Sequence, residues 1–110
     1  MAIRAIVFNE KSTLPYTVES FYQSPSNGNG TKIVAFTASN DTGSSKYYRA
    51  YIYSDAGQLV SSVIPLTIVV KDRADNGPTI INQVIPAGGT LRLLSSEADS
   101  LNFYVTGNEQ

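Results

Sequence analysis

The clearest apolar runs in this chain alternate, and no segment keeps helical spacing. Residues 31–55, TKIVAFTASNDTGSSKYYRAYIYSD, show this best: two such runs flank a polar turn at 41–45. A two-residue period marks a pleated strand with different chemistry on its two faces. Val34, Phe36 and Ala38 share one face of the first run, and Ala50 and Ile52, with Tyr48 in line, share one face of the second. The pattern predicts a β-hairpin whose aliphatic face builds the core. The other face of the second run presents Tyr47, Arg49, Tyr51 and Tyr53. The paired strand is expected to add Ile33, Ala35 and Thr37 to that face.

The same period recurs along the rest of the chain. Residues 2–8 form an apolar run that reads as a strand, followed by a polar break at 9–12. With one charge and no proline, that run is expected to close the sheet structure or to add to a neighbour's sheet. Leu14-Pro15 is an extended or turn dipeptide, and the β-branched and aromatic stretch 17–23 predicts a second strand. The SPSNGNG segment at 24–30 is a loop. It lacks the lysine and the following helix of a phosphate cradle. Residues 59–70, LVSSVIPLTIVV, contain Pro65, which predicts either an edge strand or two short strands. KDRADNGP at 71–78 is a solvated charged loop; Asp72, Asp75 and Asn76 lack the spacing of a calcium loop. Strands are expected at 79–85, 90–94 and 101–106, the last with Leu101, Phe103 and Val105 inward and Asn102, Tyr104 and Thr106 outward. The GNEQ tail is polar and is expected to be mobile at its end. Seven or eight short strands with turn signals at this spacing predict an all-β antiparallel sandwich, Ig-like or jelly-roll-like, in one domain over 1–110.

Composition narrows the chemistry. The 110 residues contain no cysteine and no histidine, and the formal net charge is −1. Disulfides, thiolate metal sites and Ser-His-Asp or Cys-His catalysis are therefore excluded within this sequence. No basic stripe is available to neutralise phosphates, so nucleic acid is not an expected partner. The longest apolar run is too short for a membrane helix, and the N-terminal run is too short and too soon acidic for a signal peptide. The sequence thus predicts synthesis in a cytosol without cleavage and no membrane partner. Asn29-Gly30-Thr31 and Asn40-Asp41-Thr42 match the glycosylation sequon, and without a secretory signal they carry no weight.

The order FYQSPSNGNGTKIVAFTASN, then a strand ending in YSDAGQ, then VIPAGGTLRLLSSEADSLNFYVTGNE, resembles the small β-sandwich structural proteins of tailed bacteriophage virions. The likeness spans residues 17–108. It implies a non-enzymatic role with no cofactor, as a capsid decoration (cement) protein on the major capsid protein or as a tail or head-tail adaptor component. It also implies a place in the virion, many copies or a homo-oligomer, and other virion proteins as partners.

Tyr47, Arg49, Tyr51 and Tyr53, with Ile33 from the neighbouring strand, form the candidate interface. Alternate tyrosines often serve only as cross-strand packing. Here their density, and their pairing with arginine, match the residue types that dominate contact hot spots. A carbohydrate-binding or adhesion module is the alternative use of such rings. It would want carboxylates and amides close by, and this segment has few. Glu19, Glu97 and Asp99 are the acids considered for a glycosidase pair. The last two fall in a polar turn, so no catalytic residue and no metal site are assigned.

Overall fold

The computed structural model describes residues 4–11, 19–97 and 100–110, with side chains described from Ser20 onward. Within them the alternating runs become nine strands: β1 Arg4–Lys11, β2 Glu19–Gln23, β3 Thr31–Asn40, β4 Lys46–Tyr53, β5 Leu59–Val69, β6 Arg73–Asp75, β7 Val84–Ile85, β8 Thr90–Ser95 and β9 Leu101–Glu109. One sheet has the order β1-β9-β3-β6, with β7 also pairing β3; the other has the order β2-β8-β4-β5. All pairings are antiparallel. The chain crosses from sheet to sheet at nearly every connection, and β4–β5 is the hairpin it keeps within one sheet. Of the two expected sandwiches, this is the jelly-roll order.

The expected hairpin over 31–55 is not formed. β3 pairs β9, β6 and β7, while β4 pairs β5 and β8 in the opposite sheet. The turn at 41–45 therefore arches over the core. A five-residue polar turn suits either geometry; here the arch is tied down by the residue just before it, the last of β3. Asn40, 2% exposed, donates through Nδ2 to Ser44 O (2.9 Å) and Val69 O (2.8 Å), and accepts at Oδ1 from Thr42 N (2.9 Å). The Val69 contact joins β3 to β5 across the two sheets. The amide nitrogen of this sequon is thus held in the interior.

The face assignment in β3 also changes. Its ladder with β9 slips between Ile33 and Ala35, so Val34 and Ala35 both face out. Ile33, Phe36 and Ala38 face the core, and Val34 is 46% exposed. A bulge inserts one residue and reverses the phase of the alternation. Gly107 lies opposite the slip, paired with Ile33. A Cβ there would sit 2.6 Å from Lys32 O, so the close approach requires glycine.

Three further expectations are corrected. The segment 79–85 is strand only at β7. Gly77 (φ 53°) and Asn82 (φ 68°) hold a turn, closed by Ile80 N to Gly77 O and Gln83 N to Ile80 O, which still buries Ile80. The charged segment 71–78 includes β6, which adds to β3. The tail is anchored: β9 runs to Glu109, and Gln110 N donates to Gly30 O at 2.9 Å. Pro65 lies within a single edge strand, β5, which pairs only β4 among the described strands. β1 pairs β9 of its own chain; the expected residues 2–3 and 17–18 of the first two strands and Leu14-Pro15 lie outside the described residues.

The core is aliphatic around a group of rings. Phe103 meets Tyr48 (5.7 Å), Phe21 (5.9 Å) and Phe36 (6.2 Å), and Phe36 stacks on Tyr48 at 5.9 Å. The four rings come from β2, β3, β4 and β9, two from each sheet. The hydroxyl of Tyr48 donates to Asp75 on β6, a second tie between the sheets. Burial first, then the hydrogen bond to Asp75 and its charge, push the Tyr48 phenol well above its usual value of 10.0. The native state therefore holds this proton where the unfolded chain releases it. The stability linked to it is whole below pH 10 and is lost as pH rises beyond. Tyr48→Phe is expected to cost about 1–3 kcal/mol at neutral pH. It should also flatten the alkaline loss by up to about 1.4 kcal/mol per pH unit. Urea midpoints at about pH 8 and about pH 11 check this; parallel pH profiles for the two proteins would refute it.

Candidate functional site

The outer face of the β2-β8-β4-β5 sheet carries the candidate interface. In β4 the inward positions are Tyr48, Ala50 and Ile52, all buried, which leaves Tyr47, Arg49, Tyr51 and Tyr53 outward. β8 lies beside it in a clean ladder, with Tyr51 opposite Arg92, Arg49 opposite Leu94 and Tyr53 opposite Thr90. Tyr51 and Tyr53 meet edge to face at 6.3 Å. The Arg92 guanidinium lies 4.2 Å from the centre of the Tyr53 ring, and its Nε donates to Thr90 Oγ1 at 3.0 Å. Such a cation over a ring is attracted by the ring's quadrupole. β4, β5 and β8 contain no carboxylate, so Arg49 and Arg92 give this surface a positive character despite a net charge of −1.

Ile33 does not join this face. It is 1% exposed, in the core, on a strand of the other sheet. Ala35 and Thr37 face outward on that other sheet as well. Their places beside the tyrosines are taken by β8 and β5. On β5 and just after it, Leu59, Val60, Leu66, Ile68 and Val70 are each about half exposed. Sequence reasoning passed over these residues and Arg92. The signal was present: residues 59–70 hold no charge at all, and an edge strand without charge is unusual.

The other candidate groups are held in structural contacts. Glu97 pairs with Lys46 at the surface, Asp99 lies outside the described residues, and Glu19 has no described side chain. The Asp75 carboxylate accepts from Tyr48 and from Gly77 N (3.2 Å). Among the described residues, no group of three or more potential ligands gathers to hold a metal ion. A shallow polar cleft is lined by Tyr22, Gln23, Ser24, Pro25, Ser26 and Glu109. There Tyr22 donates to the buried Glu109 carboxylate and contacts Thr31 Oγ1 at 3.1 Å, joining β2 to β9 and β3 across the sandwich.

No protein-family model matches this chain, and no curated protein matches it in sequence. Among solved structures, the chain is similar to a chain of the Bacillus endospore appendages, a family of disulfide-linked pili. That match has a TM-score of 0.57 and 13% identity, over 99% of this chain and 87% of that one. It also resembles part of a chain from the T13 IBDV viral particle, at a TM-score of 0.49 and 11% identity, over 96% of this chain and 30% of that one. The first likeness is one of fold; the second TM-score is too low to add to it.

Proposed function

We propose that this chain is a non-enzymatic structural protein that works by association, in many copies on a particle, and that the particle is a virion whose assembled shell subunits it decorates. The observation that carries the reading is the outer face of the β2-β8-β4-β5 sheet. Three outward tyrosines and two arginines lie there on β4 and β8, and β4, β5 and β8 contain no carboxylate. These side chains run into an uncharged, half-exposed apolar edge. Large rings with polar tips suit a surface that stays soluble before assembly and dries on contact. A contiguous apolar surface of this kind marks an interaction site. The arginines select a partner surface that supplies carboxylates or backbone carbonyls. The fold likeness to a pilus chain fits a many-copy assembly. Those pili are disulfide-linked, whereas these 110 residues hold no cysteine, so no disulfide between these residues joins the copies here. The whole-length extent of that likeness makes a filament subunit the second reading.

Tyr51→Ala is expected to weaken attachment to the particle by about 1–4 kcal/mol, read by co-sedimentation with purified particles. The number of copies per particle separates the settings. Hundreds indicate decoration of a shell, six or twelve a neck or tail component, and a continuous lattice of this chain alone a filament. Absence from every particle would defeat the virion reading. Glycan binding that is lost on the same substitution would replace it with the sugar-binding one.

A further inference from the structure

We infer that the free edge of β5 pairs with β5 of a second copy, about a two-fold axis at Ile68, to make one eight-stranded sheet from two chains. This rests on the associative reading above and supplies the first contact of that association. Three observations on this strand converge. First, its backbone is available at Ile68. Tyr47 N donates to Ser96 Oγ (3.0 Å) and Tyr47 O accepts from Ser96 N (2.9 Å), so both groups of Tyr47 point away from β5. Its partner across the ladder is Ile68. In an antiparallel pair, opposed residues that do not bond each other both turn their N–H and C=O outward. The backbone groups of Ile68 therefore face the free edge.

Second, the geometry is regular where it must be. The β4–β5 ladder slips three times between Thr67 and Leu59, and runs without slips from Val69 to Thr67. The slipped part of the strand, which includes Leu66, curls, while the stretch from Thr67 to Val69, centred on Ile68, keeps a regular ladder and serves as the template. Leu66, Ile68 and Val70 project outward, each about half exposed. A two-fold axis at Ile68 sets Ile68 against its own copy, exchanging two backbone hydrogen bonds, and Leu66 against Val70 of the second copy. The six side chains then form one apolar ridge beside the two Tyr47 rings.

Third, the rest of the molecule offers no better match among its described strands. The other free edges are β2, five residues with a bulge, β6 with three, β7 with two, and β1, whose eight residues include Arg4, Glu10 and Lys11. β5 has eleven residues and no charge. Laying it against β1 would draw charges towards an apolar strand, a cost that self-pairing avoids. Edge strands are ordinarily protected by charge; this one is protected only by Pro65 and by slips, and these precede the regular stretch from Thr67 to Val69.

The absence of cysteine gives a clean test on the full chain. Ile68→Cys should cross-link to itself under mild oxidation at least about tenfold faster than Val34→Cys on the outer face of the other sheet. Opposed Cα atoms in a bonded pair lie about 5.5 Å apart, within disulfide reach. Sedimentation should give twice the chain mass for the wild type, and Ile68→Lys, which sets two like charges face to face, should raise the dimer dissociation constant at least about 100-fold. A wild-type chain monomeric up to about 100 μM, species larger than a dimer, or equal cross-linking at the two positions would overturn the pairing. If Ile68→Lys fails to fold, the cysteine comparison still decides. A monomer that attaches to particles through Tyr51 would overturn the pairing alone, whereas a cross-linked dimer found on no particle would overturn the functional reading alone.

Discussion

Phe103→Ala is expected to lower the free energy of unfolding by about 3–5 kcal/mol. Whole domains of this size are stable by only about 5–15 kcal/mol, so the variant should sit at the edge of folding. The magnitude follows from position. Phe103 is fully buried on β9, and its ring touches Phe21, Phe36 and Tyr48, drawn from three other strands. Removing it leaves a void between the two sheets that neither can close without breaking a ladder, and it also ends three ring pairs worth more than their area. Phe103→Leu fills much of the same volume and is expected to cost about half as much. The urea midpoint should fall with little change in slope. A loss under about 1 kcal/mol for the alanine variant would show that this ring does not hold the sheets together.

That ring was legible in the sequence, because β9 alternates without interruption. Leu101, Phe103 and Val105 are inward as the period demands, and Tyr48, Ala50 and Ile52 are inward on β4 for the same reason. Where both phases of a run are apolar, the period loses its force. In β3, Ile33 and Ala35 compete with Val34 and Phe36, and a single bulged residue decides between them. The pairing of strands was less legible still. Both sides of the turn at 41–45 carry an apolar face, and nothing local says whether those faces lie in one sheet or oppose each other across a core. The tail illustrates the same point, since GNEQ is polar yet Glu109 is buried by a hydroxyl from β2, 87 residues away.

The tyrosine side of the candidate interface followed from period two alone, since Tyr47, Arg49, Tyr51 and Tyr53 share one phase of one strand. Its neighbours did not follow, because they depend on the jelly-roll order. With β8 beside β4, Arg92 comes over Tyr53. With β5 on the other side, Leu66 and Ile68 extend the same surface. The fold thus brings together the residues that a linear hairpin reading would have placed apart. It removes Ile33 from the surface for the same reason.

Asn40→Asp is expected to cost about 3–5 kcal/mol at neutral pH, more than Asn40→Ala at about 2–4 kcal/mol. The asparagine meets four partners in the interior: Nδ2 donates to Ser44 O and Val69 O, while Oδ1 accepts from Thr42 N and Thr42 Oγ1. Alanine orphans these groups but adds no charge, and Ser44 and Thr42 lie near enough to solvent to recruit water. Aspartate keeps the acceptor for Thr42 and turns its second oxygen, with a negative charge, on two carbonyls. A buried charge opposed by like dipoles is costlier than an empty site. The carboxyl of the variant is then held above its usual range, because only its protonated form can donate to Val69 O. Its native state binds a proton that the unfolded chain has released, so stability falls as pH rises through that window and returns as pH is lowered. Urea midpoints at about pH 7 and about pH 4 should show Asn40→Asp gaining on Asn40→Ala in acid. Equal costs for the two variants at neutral pH, with no relative gain in acid, would mean that the arch between β3 and β4 does not depend on this amide.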